Sequence, residues 1–406
     1  MINSKIRNIL LLTSIYPASD IGKEHTPVVH YFAKEWVKLG YNVIVMHYPS
    51  NFPKVMLWMA SLFKKQISSK SGAIIRTYQL EEAEYELDGV KVKRLPLLKC
   101  KPHGRFKKKQ IRKVYKRTVE YCTCIDYRPD IVISHWANPQ LEIMRGLKVL
   151  YNVPSCYIAH LKGHDLLAIY SKEKAKELIA NIDIIGFRSD YIKRQFISIF
   201  DYCGPSFQCY SGIPQQYIYQ LETRNFNNVN SFIFVGTMIE RKYPALVVKA
   251  VYGAFGGEDF SMCYIGRGGE TKNILKYANE FNIKNKVHLL GFLAREQVIE
   301  QLKNHDVFVM ISCNETFGLV YLEAMAVGCI TIAARNEGFD GIIKDGINGF
   351  LCEAGNVDEL TEIIKKIKKM SPETLQNISV KAIETARELT EEKAARKYLE
   401  AIEQIY

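Results

Sequence analysis

The feature that most constrains this chain is a rhythm of apolar, strand-length runs, each followed by a stretch of helical period, which starts twice. Near the beginning "RNILLLTS" is almost continuously apolar, the pattern of a parallel strand covered on both faces. A loop, "IYPASDIGKEH", leads to Thr26-Pro27, a capping residue followed by proline at the first helical position. The helical stretch "PVVHYFAKEWVKL" stops at Gly40, and "NVIVMHY" follows at once as the next strand. A strand, a crossover helix and a second strand form a βαβ unit, whose helix N-terminus lies at the C-terminal edge of the sheet. "DIVISHW", "SCYIAHL", "IDIIGFRS" and "SFQCYSGI" continue the first series. After the polar stretch "ETRNFNNVNS" (222–231) a second series runs through "FIFVGTM", "FSMCYIGRG", "KVHLLGF", "DVFVMIS", "CITIAAR" and "GFLCE". Two such series in 406 residues predict two α/β domains, each built on a parallel sheet. The tail "TEEKAARKYLEAIEQIY" is amphipathic and reads as a closing helix.

Composition narrows the classes. The apolar share is 48%, enough for substantial cores. The ten cysteines are scattered without metal-ligand spacing, and the chain is too long for a small disulfide scaffold, so reduced thiols are expected. The N-terminal apolar run reads as a buried strand rather than a cleaved leader. "VMLWMASLF" (55–63) falls far short of the roughly 20 residues a spanning helix needs. Charge is unevenly placed: residues 1–205 hold 33 Lys+Arg against 18 Asp+Glu, while the remainder holds 22 against 25. The excess of positive charge is densest at "RFKKKQIRKVYKR" (105–117) and implies an anionic partner for the first half, or else a solvated helix face.

The chemistry concentrates in "NETFGLVYLEAMAVG" (314–328), where Glu315 and Glu323 are separated by seven residues and Phe317-Gly318 follows the first acid. "DVFVMIS" places this stretch after a buried strand, with a helix expected to open near Phe317-Gly318. The N–H groups of a first helical turn are an anion site, and Gly318 presents no side chain to hold a phosphate away. Carboxylates beside such a site accept hydrogen bonds from sugar and ribose hydroxyls. Glu315 as a cap aid and Glu323 on a solvated face is the plainer alternative. Two more strand ends point to the same edge. One is Gly236 with Arg241 and Lys242 ahead of the next helix, a cationic pair suited to a diphosphate leaving group. The other is the glycine-rich "YIGRGG" with Arg267.

Residues 231–355 resemble the donor-binding domain of retaining glycosyltransferases of family 4, the group 1 glycosyl transferases with the GT-B fold. The resemblance rests on "FVGTMIERKY", "YIGRGGE", "VHLLGFL", "HDVFVMISCNETFGLVYLEAMAVGCITIAA" and "EGFDGIIKDGINGFLCEAGNVDEL", in that order. It implies two Rossmann-like domains facing across a cleft: 1–215 for the acceptor, 216–385 for a nucleotide-sugar donor, and 386–406 as a helix returning to the first. It implies that Glu315 binds sugar hydroxyls and Glu323 the ribose. The Thr316–Leu319 segment, with the amides of Phe317, Gly318 and Leu319, would hold the distal phosphate. Lys242 would pair with the diphosphate near Gly236 and Arg267, and Gly291-Phe292 would lie against the base. The family often has Arg where this chain has Thr237, and Arg241 is the available substitute. The family's His-Gly-x-Asp turn corresponds to "VPSCYIAHLKGHDLL"; counting from Pro154 selects His160, and counting back from Asp165 leaves His164 beside the acid. Gly22, Lys23 and His25 correspond to a loop lining the acceptor side.

By this resemblance the reaction retains anomeric configuration, uses a uridine or guanosine donor (a UDP-sugar by expectation) and needs no cofactor or metal. No Asp-x-Asp motif occurs. With the basic first half, it implies a cytoplasmic enzyme, peripheral on the inner membrane face, acting on a glycan or lipid-diphosphate-linked acceptor in bacterial capsule, O-antigen or exopolysaccharide assembly. The competing readings are a nucleotide-sugar epimerase of related fold and a non-enzymatic nucleic-acid-binding protein, for which no recognised motif is present.

Overall fold

In the computed structural model, residues 6–21, 27–71, 76–100, 104–160, 166–219 and 224–405 are described. The chain divides into two compact units: Met1–Leu62, Arg76–Ser211 and Glu391–Tyr406 form the first, and Phe63–Ile75 with Gly212–Thr390 the second.

The first unit runs β1 (Asn8–Thr13), α1 (Val28–Lys38), β2 (Asn42–His47), β3 (Ser50–Asn51), α2 (Lys54–Ser71, of which residues 63–71 fall to the second unit), β4 (Ala83–Leu87), β5 (Val90–Arg94) and β6 (Leu97–Leu98). It continues α3 (Lys108–Cys124), β7 (Ile131–His135), α4 (Gln140–Tyr151), β8 (Ser155–Ala159), α5 (Lys172–Ile179), β9 (Ile184–Phe187), α6 (Asp190–Phe200) and β10 (Ser206–Gln208). Its eight-stranded sheet has the order β10-β9-β8-β7-β1-β2-β5-β4. β1 sits at the centre, with Leu10 opposite Ile44 on one side and Val132 on the other. Five of its six residues are buried, as the continuous apolar run requires.

The sheet is not wholly parallel. β4 and β5 form an antiparallel hairpin over "AEYELDGVKVKR", which the strand-and-helix rhythm did not anticipate. Charged residues occupy alternate positions of an edge strand, so the run carries no continuous apolar signal. Asp88-Gly89 makes the turn, with φ of 49° and 77°, the two left-handed residues of a type I′ connection.

α1 ends in a Schellman arrangement: Gly40, at φ 91°, donates to the Val37 carbonyl, and the Tyr41 N–H reaches back to the Trp36 carbonyl. That closure aims the chain into β2. The helix then forms the seat for the C-terminal helix α13 (Glu391–Glu403). The Trp36 indole donates to the Ala395 carbonyl at 3.1 Å, and its ring packs against Tyr398 at 4.9 Å. Phe32 meets the same tyrosine edge-on at 5.2 Å. Trp36 and Tyr398 are both essentially fully buried, so the last helix belongs to the core of the first unit.

The second unit contains β11 (Ser231–Val235), α7 (Pro244–Phe255), β12 (Ser261–Ile265), α8 (Thr271–Glu280), β13 (Val287–Gly291) and α9 (Arg295–Lys303). β14 (Val307–Met310), α10 (Leu319–Ala326), β15 (Ile330–Ala334), β16 (Phe350–Cys352), α11 (Val357–Lys369) and α12 (Pro372–Arg387) complete it. The six strands pair in the order β13-β12-β11-β14-β15-β16, all parallel. Parallel pairing with a helix after each strand brings the ends of β11, β12, β13 and β14 to one edge. No described helix is long and apolar enough to cross a membrane.

Trp36→Ala removes a fully buried indole and its hydrogen bond, and is expected to cost about 3–5 kcal/mol. The expected reading is a lower urea midpoint for the transition of the first unit; an unchanged midpoint would contradict the packing described.

Candidate functional site

The site in the second unit is built from strand-end turns. After β11 the chain turns at Gly236 and exposes Thr237, and a 3-10 turn at Glu240–Lys242 precedes α7. A Cβ on Gly236 would lie 3.2 Å from Lys242 Nζ, so the glycine leaves the space in which the ammonium sits. The glycine-rich turn after β12 has a structural reason first. At φ 132°, a Cβ on Gly266 would stand 2.0 Å from the Gly236 carbonyl oxygen, and one on Gly268 2.1 Å from that of Met238. Neither is tolerable, so the two turns pack backbone to backbone. Arg267 remains exposed between them, its Nε 3.9 Å from a Cβ placed on Gly291. Beyond β13, Phe292 is 60% exposed, an unusual position for so large an apolar ring.

The loop after β14 carries the acids. α10 opens at Leu319 rather than at Phe317-Gly318; Gly318 stands before it at φ 81°. A Cβ there would come within 2.6 Å of the Tyr321 ring, so Tyr321 itself demands glycine. Tyr321 is locked by hydrogen bonds to the Met310 carbonyl and the Ser312 hydroxyl. Phe317 turns inward against Phe339, and Gly338 seats against the Thr316–Phe317 backbone, where a Cβ would lie 2.5 Å from the Phe317 nitrogen. The Gly318 and Leu319 backbone remains partly accessible.

Glu315 points at the cationic pair. Its Oε2 lies 3.4 Å from Lys242 Nζ and 3.7 Å from Arg241 Nη1. Charge-assisted bonds are about 2.7–2.9 Å, so both contacts are slack. Oε2 is buried and makes no hydrogen bond. Lys242 has three donors to place, yet its other near contact is the Met310 sulfur at 3.8 Å. Arg241 also donates to the Cys313 carbonyl at 3.2 Å, which ties the cation to the loop. A buried carboxylate oxygen with only loose ion pairs and no hydrogen bond is costly to keep. An acid able to accept from hydroxyls and two cations able to meet negative charge thus stand side by side at this strand edge.

Glu323 lies in the second turn of α10, buried rather than on a solvated face. One of its oxygens accepts from Arg295 Nε at 2.7 Å. Arg295 in turn stacks on the Tyr217 ring at 5.1 Å, and Tyr217 donates to Glu296 at 3.3 Å. The ion pair orients the carboxylate without consuming both oxygens.

Three groups escaped sequence reasoning. Arg295 opens α9 with no motif to mark it, and Tyr217 precedes the second sheet altogether. Glu337 accepts from the Glu315 backbone N–H at 3.0 Å and fixes the loop from the far side. Its position before Gly338 was legible only as part of a turn.

In the first unit, His160 stands immediately after β8. Its Nε2 is 2.8 Å from His135 Nδ1, and its ring stacks on Trp136 at 4.0 Å. Trp136 adopts φ 65°, a conformation that bulky residues rarely hold, and the stack orients it. Burial, with the neighbouring Arg188 charge, drives both histidines well below the usual imidazole range, so both are neutral. The loop between β1 and α1 is pinned where Arg94 makes a bidentate ion pair with Asp20, which holds that carboxyl below its ordinary range. Gly22, Lys23, His25 and His164 lie outside the described residues. No group of three or more His, Cys, Asp or Glu suited to a metal occurs among the described residues.

Comparison with known proteins bears on the fold. Residues 220–388 match the family model described as "Glycosyl transferases group 1". An uncharacterized glycosyltransferase of Methanocaldococcus jannaschii is 29% identical over 242 residues; the match covers 59% of this chain and 65% of that protein. Among solved structures, sucrose-phosphate synthase from Thermosynechococcus elongatus superposes with a TM-score of 0.70 at 16% identity, covering 98% of this chain and 99% of the other. Anabaena HepE, in a complex with UDP and glucose, gives 0.65 at 16%, covering 98% and 100%. At these identities the likeness shows the fold: GT-B, two α/β domains.

The buried histidines have a measurable consequence. His47 is also buried and pushed down to about 3. Unfolded imidazole titrates near 6.5, so below that pH the unfolded chain takes up protons the native chain refuses. Stability is expected to fall as pH drops from 7.5 to 5, by up to about 2 kcal/mol per such histidine. In thermal melts His160→Asn, less stable at pH 7.5, is expected to lose less than wild type on acidification. A wild-type melting temperature independent of pH over that range would contradict the protonation states described.

Proposed function

We propose that the chain is a retaining glycosyltransferase of family 4, moving a sugar from a nucleotide-diphosphate sugar, by preference a UDP-sugar, to a hydroxyl of a glycan or lipid-linked glycan. The observation that carries this reading is the buried Glu315 oxygen that accepts no hydrogen bond and meets the Lys242 and Arg241 cations only at 3.4 and 3.7 Å. That the Anabaena neighbour was crystallised with UDP and glucose supports the donor class.

In this reading Lys242 and Arg241 lie against the diphosphate, and the backbone at Gly318 and Leu319 meets the distal phosphate at the N-terminus of α10. Glu315 accepts hydrogen bonds from donor-sugar hydroxyls, which gives its buried oxygen a partner. Glu323, oriented by Arg295, takes the ribose, and Phe292 offers a face to the base. As the glycosidic bond breaks, charge grows on the leaving phosphate, and the cation pair stabilises it without reorganising. The leaving phosphate accepts the acceptor's hydroxyl proton on the face it departs from, so configuration is retained. No step needs a metal or a further cofactor. His160 serves the acceptor side as a neutral group, since burial keeps it unprotonated. The reaction is placed in the cytoplasm at the inner membrane face, in assembly of a bacterial surface polysaccharide.

Lys242→Ala and Glu315→Gln are each expected to lower kcat/KM by about 10²–10³, equivalent to roughly 2.7–4 kcal/mol of transition-state stabilisation, with melting temperature preserved. Near-wild-type turnover in either variant would remove the assignment. Conversion of a nucleotide sugar with no acceptor present would instead identify an epimerase.

A further inference from the structure

The first unit carries two helix faces that the donor site does not use. On α2, Val55, Trp58, Met59 and Leu62 fall at i, i+3, i+4 and i+7, one stripe of a helix. They are 66%, 64%, 45% and 60% exposed, whereas Leu57, off that stripe, is buried. An isolated exposed leucine is ordinary, but a contiguous stripe that includes tryptophan marks a contact surface. On α3 the same spacing recurs with cations: Lys109, Arg112, Lys113 and Lys116, all exposed. None of the four makes an ion pair with a described residue. With Arg105 and Lys107 they line a depression of about 790 Å³.

The two faces are joined through backbone. β3, three residues before α2, pairs with β6, with Asn51 opposite Leu98. The Lys99 N–H donates to the Asn51 carbonyl, and the Gln110 side chain of α3 donates to the Leu98 carbonyl. Leu98 itself lines the depression and is 44% exposed. Both helices are thus tied to the short β3–β6 ribbon, α2 through the chain that follows β3 and α3 through Gln110. A solvated lysine face alone would need no apolar neighbour, and a soluble protein partner would be met by either sign of charge. Insertable aromatic and aliphatic side chains beside unpaired cations match one environment, the interface of a bilayer rich in anionic headgroups.

We propose that the Val55/Trp58/Met59/Leu62 stripe of α2 and the Lys109/Arg112/Lys113/Lys116 stripe of α3 form one docking surface for an anionic lipid bilayer. The stripe of α2 enters the headgroup boundary while the cations of α3 hold the phosphates. This deepens the reading of an acceptor presented at a membrane. Its test measures lipid binding and not transfer, so either can fail without the other.

The test is co-sedimentation of the full chain with vesicles of phosphatidylcholine alone and with about 30% phosphatidylglycerol added, at low and at raised salt. Wild type is expected to bind the anionic vesicles at least tenfold better, with the preference weakening as salt rises. Replacing Lys109, Arg112, Lys113 and Lys116 by Ala is expected to erase the preference. Trp58→Ser with Leu62→Ser is expected to lower binding to anionic vesicles at least tenfold. All six positions are exposed, so unchanged melting temperatures should accompany both variants. Equal binding to the two vesicle types, or undiminished binding by either variant, overturns the proposal. So does an absence of vesicle binding, whether inorganic diphosphate then binds the cations alone or the Trp58/Leu62 variant turns a dimer into a monomer.

Discussion

Parallel pairing is the constraint from which the second unit's chemistry follows. Because β11, β12, β13 and β14 all run the same way, every turn that leaves them does so at one edge, and each helix begins there. Two backbone contacts set how closely those turns crowd: Gly266 against the Gly236 carbonyl and Gly268 against that of Met238. Any side chain there would push the β12 turn away from the β11 turn and move Lys242 with it. Gly338 does the same service on the opposite flank, where it meets the Thr316–Phe317 backbone. The glycines thus position the charges.

Within that frame the electrostatics are deliberately incomplete. The Arg94–Asp20 pair in the first unit shows what a satisfied ion pair looks like here, with two bonds near 2.7 Å. Glu315 and Lys242 approach only to 3.4 Å and leave a buried oxygen without a hydrogen bond. A protein interior tolerates such a gap where a ligand completes it. At the other acid the arrangement is different: Arg295 takes one oxygen of Glu323 and stacks on Tyr217, so that carboxylate is aimed before anything binds.

How much of this was legible in the sequence depends on the kind of signal. Continuous apolar runs announced the parallel strands, because a strand covered on both faces has little polar surface to display. The β4–β5 hairpin escaped for the converse reason, since "AEYEL" and "VKVKR" place charges on an edge. "NETFGLVYLEAMAVG" marked a candidate site because its acids and glycine occur where the fold rules put a helix N-terminus. Their separate environments were not legible: Glu323 meets Arg295 only through folding across α9 and α10, and Glu337 reaches Glu315 from 22 residues away. The "YIGRGG" turn was read for its arginine, whereas two of its glycines are required by close backbone approach. His160 was a candidate by its place after a strand; its partners His135 and Trp136 lie at the neighbouring strand's end, where only sheet pairing brings them together.

The central claim is that the second unit binds the diphosphate and sugar of one nucleotide-sugar across Glu315, Lys242 and Arg241. Calorimetric titration of the full chain with a panel of uridine, guanosine, adenosine and thymidine diphosphate sugars tests it most directly. The account predicts saturable binding of one nucleotide series, weakened at least tenfold when the sugar is absent or when Glu315→Gln is used. Absence of binding by every diphosphate sugar in the panel, or binding indifferent to Glu315, would contradict it.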